Sequence, residues 1–102
     1  MFIALYRWKL KPGKEDQFRE AWSQVTQSIR EKCGSLGSRL HSSEDGTWVA
    51  YAQWPSKKAW EADCALDEKG NAARTRMRDA VEERFPQMLL TVTDDYLVSK
   101  SV

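Results

Sequence analysis

His41 is the only histidine among 102 residues, so it alone carries a side chain whose ordinary pKa lies near neutrality. Arg39 precedes it by two positions, a spacing that sets both side chains on one face of an extended strand. An imidazole that takes a proton, beside a guanidinium that holds the anion left behind, is a minimal acid–base site. Arg7 and Arg74 are further cations for that anion. Tyr6, Trp8, Tyr51 and Trp60 carry rings that could stack on a flat ligand and keep water away from it. The chain is rich in such rings, with five Trp, three Tyr and three Phe.

Other chemistry is poorly supplied. Cys33 and Cys64 have no Cys or His nearby at metal-ligand spacing, which argues against a zinc site. They are expected as reduced thiols filling apolar space. With no ligand cluster and no Gly-rich phosphate loop, no metal, flavin or haem is expected. Lys and Arg number 16 against 15 Asp and Glu, a net charge of +1 that gives no reason to expect a nucleic acid or a membrane surface as partner. The first residues meet Arg7 before an apolar leader could form, and no apolar run nears the ~18 residues of a membrane span, so a cytoplasmic location is expected. A composition 41% hydrophobic and 30% charged suits one globular domain over residues 1–102.

The elements that must position the candidates follow from periodicity. Phe2 to Leu10 alternates large apolar residues with a mixed set and reads as a strand, stopped at Pro12-Gly13. Phe18, Trp22, Val25 and Ile29 form one stripe of a long helix, with Glu15 and Asp16 in its first turn, Arg30 and Lys32 in its last, and Gly34 as its stop. That stripe assigns Trp22 to the core. Two extended runs then flank Asp45-Gly46, a hairpin signal. Ser56 caps a helix carrying Trp60 and Cys64, which Gly70-Asn71 interrupts; a further helix has Ala73, Met77, Ala80 or Val81, and Phe85 inward and is stopped by Pro86. Met88 to Val92 and Tyr96 to Val98 complete a last strand, broken at Asp94-Asp95. The order βαββαβ is the split βαβ arrangement, an α+β fold whose four-stranded antiparallel sheet has helices on one face only. The other face carries Ile3, Leu5 and Leu89 or their alternates and is expected to pair with a second copy.

The hairpin decides which side chains share a face. If Asp45-Gly46 are the two loop residues, His41 faces Ala50 and Arg39 faces Ala52. His41 and Arg39 then join Trp48, Ala50, Ala52 and Trp54 on one face, where two small residues among large rings make a concavity. A slip of one residue would exchange the two faces.

RWKLKPGK at 7–14, GSLGSRLH at 34–41, Asp45-Gly46 and YAQWPSKKAW at 51–60 resemble the successive signature segments of the antibiotic biosynthesis monooxygenase family, over about residues 2 to 62. The resemblance implies a ferredoxin-like protomer, a pocket between sheet and helices, and two sheets packed into a dimeric α/β barrel. Enzymes of that family oxygenate electron-rich phenols or quinols with O₂ and no metal or flavin. A separate branch degrades haem and relies on an Asn in the first strand and a Trp and a His in the second helical region. Aligned through Pro12-Gly13 and Trp54-Pro55-Ser56, those places hold Tyr6, Asp63 and Arg74, so the branch is not expected here.

The leading expectation is therefore a cofactor-independent monooxygenase acting on a small aromatic molecule. His41 would be its base and Arg39 the anion holder, with Tyr6, Trp8, Tyr51, Trp60 and Arg74 around the substrate. The alternatives are a homodimer that binds a small molecule without turning it over, and a purely structural homodimer with a closed pocket.

Overall fold

The computed structural model describes residues 1–98; the last four residues of the single-domain span lie outside them. Its elements are β1 (Phe2–Leu10), α1 (Glu15–Cys33), β2 (Gly37–Ser42), β3 (Trp48–Trp54), α2 (Lys57–Glu61), α3 (Glu68–Asp79), β4 (Val81–Arg84) and β5 (Met88–Thr91). The antiparallel sheet runs β2-β3-β1-β4, and β5 also pairs with β1. β4 lies against Trp8–Leu10 and β5 against Phe2–Leu5, so two short segments share the edge expected for one last strand. The sheet thus has five strands in four positions, and the protomer is ferredoxin-like as expected.

The long helix forms where its stripe predicts. Phe18 and Ala21 are fully buried, Gly34 closes the helix at φ +76°, and Glu15, Asp16, Arg30 and Lys32 complement the dipole. Phe18 meets Trp8 edge-on at 5.1 Å, a burial that contributes on the order of 2–3 kcal/mol. Phe2, Ala4, Trp8 and Leu10 face the helices together with Ala50, Ala52 and Trp54.

Two helix expectations are corrected. Gly70 does not interrupt a helix; it lies within α3, where a Cβ would sit 3.1 Å from Ser28 Oγ and 3.0 Å from Leu66 Cβ. The residue is small because α3 packs on α1 there. The break falls earlier, and Asp67 starts α3 by accepting from Gly70 N at 2.8 Å. At the other end the helix stops at Asp79, and Val81 turns into β4 instead of continuing toward Phe85. β1 offers unpaired backbone groups at Trp8–Leu10, and pairing with them outweighs the weak helical preference of a β-branched residue. Tyr96–Val98 lie in no strand.

Cys33 and Cys64 are joined in a disulfide, not reduced, with Cα atoms 5.7 Å apart. The bridge ties the end of α1 to the segment between α2 and α3. Among the described residues no helix is long and apolar enough to cross a membrane.

The β2–β3 hairpin also departs from expectation. Ser43 N donates to Thr47 O at 2.8 Å, so the loop is Glu44-Asp45-Gly46, with Gly46 at φ +87°. Asp45 Oδ1 accepts from Thr47 N at 2.9 Å and from Thr47 Oγ1 at 2.6 Å, which fixes this longer turn. His41 consequently faces Val49, and Arg39 faces Tyr51.

Candidate functional site

A cavity of 560 Å³ opens between the helix-covered face of the sheet and the helices α1 and α3. That volume suits a small organic ligand. Ala50 and Ala52 form its floor, because their short side chains leave a gap between the larger rings of β1 and β3. Tyr6, Trp8 and Trp54 rise from the strands around that floor, and the Tyr6 and Trp8 rings stack at 6.0 Å. Trp22, Val25 and Ile29 of α1 and Met77 of α3 make the roof.

The polar groups of the cavity are mostly donors. Tyr6 keeps its hydroxyl proton available, since its oxygen accepts from Trp60 Nε1 at 2.9 Å. Arg74, Arg78 and Arg84 reach the wall from α3 and β4. The Trp54 indole N–H is buried and has no acceptor among the described residues. The one acid in the wall among the described residues, Glu82, is held by Lys9 Nζ at 3.1 Å. Among the described residues no cluster of three His, Cys, Asp or Glu could hold a metal ion.

The sequence candidates divide between the two faces of the sheet. Tyr6, Trp8 and Arg74 line the cavity, and Trp60 stands behind Tyr6, packed on Phe2 at 5.6 Å. Tyr51, Arg39 and His41 share the opposite face. His41 is exposed and donates from Nδ1 to the Val49 carbonyl at 3.1 Å, and Arg39 is exposed. The expectation that His41 and Arg39 line the cavity is therefore corrected. A loop one residue longer turns every β2 side chain over, and Ser38 and Leu40 take the inward places. Arg7 also lies on that opposite face, bound to Asp45 at 3.2 Å, with its guanidinium 4.4 Å from the Phe85 ring centre.

The hydroxyl and then the backbone N–H of Thr47, with Ser43 and Arg7 behind them, hold the Asp45 carboxyl at about 2, below its ordinary 3.8.

Several cavity residues escaped the sequence reading. Trp22 is a cavity wall as well as part of the helix stripe, and no local pattern singles out Arg78 or Arg84. The alternation of alanines with tryptophans in β3 was the signal that located the floor.

Residues 1–74 match the family described as antibiotic biosynthesis monooxygenase. No curated protein matches the chain. Among solved structures, Rv0793 from Mycobacterium tuberculosis superposes with a TM-score of 0.71 at 15% identity, covering 94% of this chain and 98% of that one. SnoaB from Streptomyces nogalater, a cofactor-independent oxygenase, superposes with a TM-score of 0.69 at 14% identity, covering 93% and 95%. A conserved protein from Methanosarcina mazei Go1 gives 0.68 at 6% identity, covering 87% and 89%. At these identities the structural likeness establishes the fold alone.

Proposed function

This chain belongs to the antibiotic biosynthesis monooxygenase family, and from that premise we propose that it oxygenates a phenolic or quinol-type aromatic molecule with O₂, without a cofactor. The observation that carries the reading is the cavity itself: 560 Å³, walled by Tyr6, Trp8, Trp22 and Trp54, with Arg74 beside them. The rings suit a flat substrate and exclude water from it. Arg74 and the Tyr6 hydroxyl are donors for a phenolate oxygen, and they favour the anion over the neutral phenol.

In the proposed reaction the phenolate passes one electron to O₂. The aryloxyl radical and superoxide then combine to a C–O bond. Loss of water from the resulting peroxide leaves a quinone, so that phenol plus O₂ gives quinone plus one water. Among the described residues the cavity wall contains no histidine, and its one carboxylate, Glu82, is paired with Lys9. The substrate proton therefore leaves to water, driven by the arginine field, and no side-chain base takes part.

That lack of a base also favours the second reading, a homodimer that binds an aromatic molecule and releases it unchanged. Oxygen uptake on a panel of dihydroxynaphthalenes and anthrones, without added metal, separates the two. Consumption of O₂ with quinone formation supports the oxygenase; saturable binding with no consumption supports the binding protein.

We further propose that two protomers pack through the helix-free face of the sheet into a barrel. Leu5, Val49, Tyr51, Met88 and Leu90 share that face with the buried Ile3, and Met88 and Leu90 are 58% and 38% exposed there. A cytoplasmic location goes with this reading, and there the glutathione pool would oppose the Cys33–Cys64 bridge.

A further inference from the structure

We infer that the aromatic ligand carries a carboxylate, which docks on Arg78 and Arg84 at the rim of the cavity; this rests on the reading of the cavity as an aromatic-substrate site. Three arginines are more than one phenolate needs. Arg74 is the least exposed and suffices for the phenolate, whereas Arg78 and Arg84 stand exposed at the edge.

These two are not explained as ordinary helix-surface charge. On the same helix Arg76 behaves as such charge does, pairing with Glu20 at 3.8 Å, with its carbonyl accepting from Gln17 Nε2 at 2.9 Å. Arg78 instead lines the cavity one turn beyond Arg74, and neither has a carboxylate partner among the described residues. Arg84 comes from a different element. It faces Trp8 across β1, on the cavity side of the sheet, and it too lacks an acid there. The nearest acid of the wall, Glu82, is drawn to Lys9.

The cavity has a direction that suits this ligand. Trp54 lies opposite Phe2 and Arg84 opposite Trp8, six positions along β1, about 20 Å apart at the usual strand rise. Rings fit over the alanine floor between them, and Arg84 stands at the Trp8 end. A guanidinium presents paired N–H donors that match a carboxylate in shape and charge.

The test uses 2-naphthoate and its uncharged amide, neither of which is a phenol, so that binding is read apart from any oxygenation. Quenching of tryptophan fluorescence on the full chain reports binding, since Trp8, Trp22 and Trp54 line the cavity. The expected result is a preference for naphthoate of roughly ten- to hundredfold, the usual range for hydrogen bonds to a charged group. Arg78→Gln with Arg84→Gln abolishes the preference, and Arg76→Gln retains it. Both replaced side chains are exposed, and the thermal midpoint checks that the fold survives. Should the double variant not fold, salt serves: about 0.5 M weakens naphthoate binding to the wild type more than amide binding. Equal binding, no binding of either probe, a preference that survives the double substitution, or salt-insensitive naphthoate binding overturns the inference. Oxygen uptake with 1,4-dihydroxynaphthalene is read separately. Uptake without a naphthoate preference sinks the carboxylate alone, and a preference without uptake from any phenol sinks the oxygenase alone.

Discussion

Trp60 donates its indole N–H to the Tyr6 hydroxyl oxygen across 2.9 Å, tying α2 to the middle of β1. With that lone pair engaged, the Tyr6 proton is left for another acceptor, and the ring lines the cavity. Replacing Tyr6 by Phe removes this donor while keeping the ring. Turnover should fall roughly 10²-fold, the usual effect of losing one donor to a developing anion. Stability should fall by only about 1 kcal/mol, from the orphaned Trp60 N–H. Oxygen uptake and thermal unfolding of the Tyr6→Phe variant measure both, and unchanged turnover would remove Tyr6 from the site.

His41 serves as the control. It lies exposed on the face away from the cavity, bonded to its neighbour strand's carbonyl at Val49. His41→Ala is expected to leave turnover within about threefold, and the pH–rate profile should show no inflection that disappears with the imidazole. A loss of two orders of magnitude at an unchanged unfolding midpoint would restore the histidine as the base.

Met88 is 58% exposed on the helix-free face, beside Leu5. A charge there costs the isolated protomer little but is unfavourable inside an apolar interface. Sedimentation should find a dimer at micromolar concentration for the wild type and a monomer for Met88→Glu. A wild-type monomer would end the barrel proposal.

The disulfide closes a loop between residues 33 and 64, a separation of 31. Chain entropy gives such a crosslink about 3–4 kcal/mol. Cys64→Ser, or reduction by dithiothreitol, should lower the denaturant midpoint accordingly. The effect on ligand binding should be smaller, because neither cysteine lines the cavity. An unchanged midpoint after verified reduction would show that packing around Val25, Leu66 and Ala73 suffices.

Asp45 predicts an acid limb. Its carboxyl titrates at about 2 in the folded chain against 3.8 ordinarily. The folded state therefore binds the proton less readily than the unfolded one, so the stabilisation is present above pH ~4 and is lost as pH falls toward 2. Asp45→Asn should unfold at a lower temperature than wild type at neutral pH, with the gap narrowing between pH ~4 and ~2. A gap that stays constant would mean that Thr47 and Arg7 contribute nothing through the charge.

The local pattern alone determined much of this protein. The spacing of Phe18, Trp22, Val25 and Ile29 located α1, because a single helix period suffices to define a buried stripe. Asp45-Gly46 located the hairpin, and the alanines at 50 and 52 marked where the surface sinks between rings. The signature segments named the family, which the match over residues 1–74 bears out. What local pattern did not carry was pairing. Whether His41 faces the cavity depended on one loop residue, settled by hydrogen bonds between Asp45 and Thr47, since strand side chains alternate with period two. Val81–Arg84 became a strand, and brought Arg84 to the cavity, because β1 had backbone groups to satisfy across more than seventy positions of sequence. Cys33 met Cys64 only because α1 and the segment before α3 pack together. In each case the deciding partner lies far along the chain, where no periodicity reaches, and only the folded packing brings it into contact.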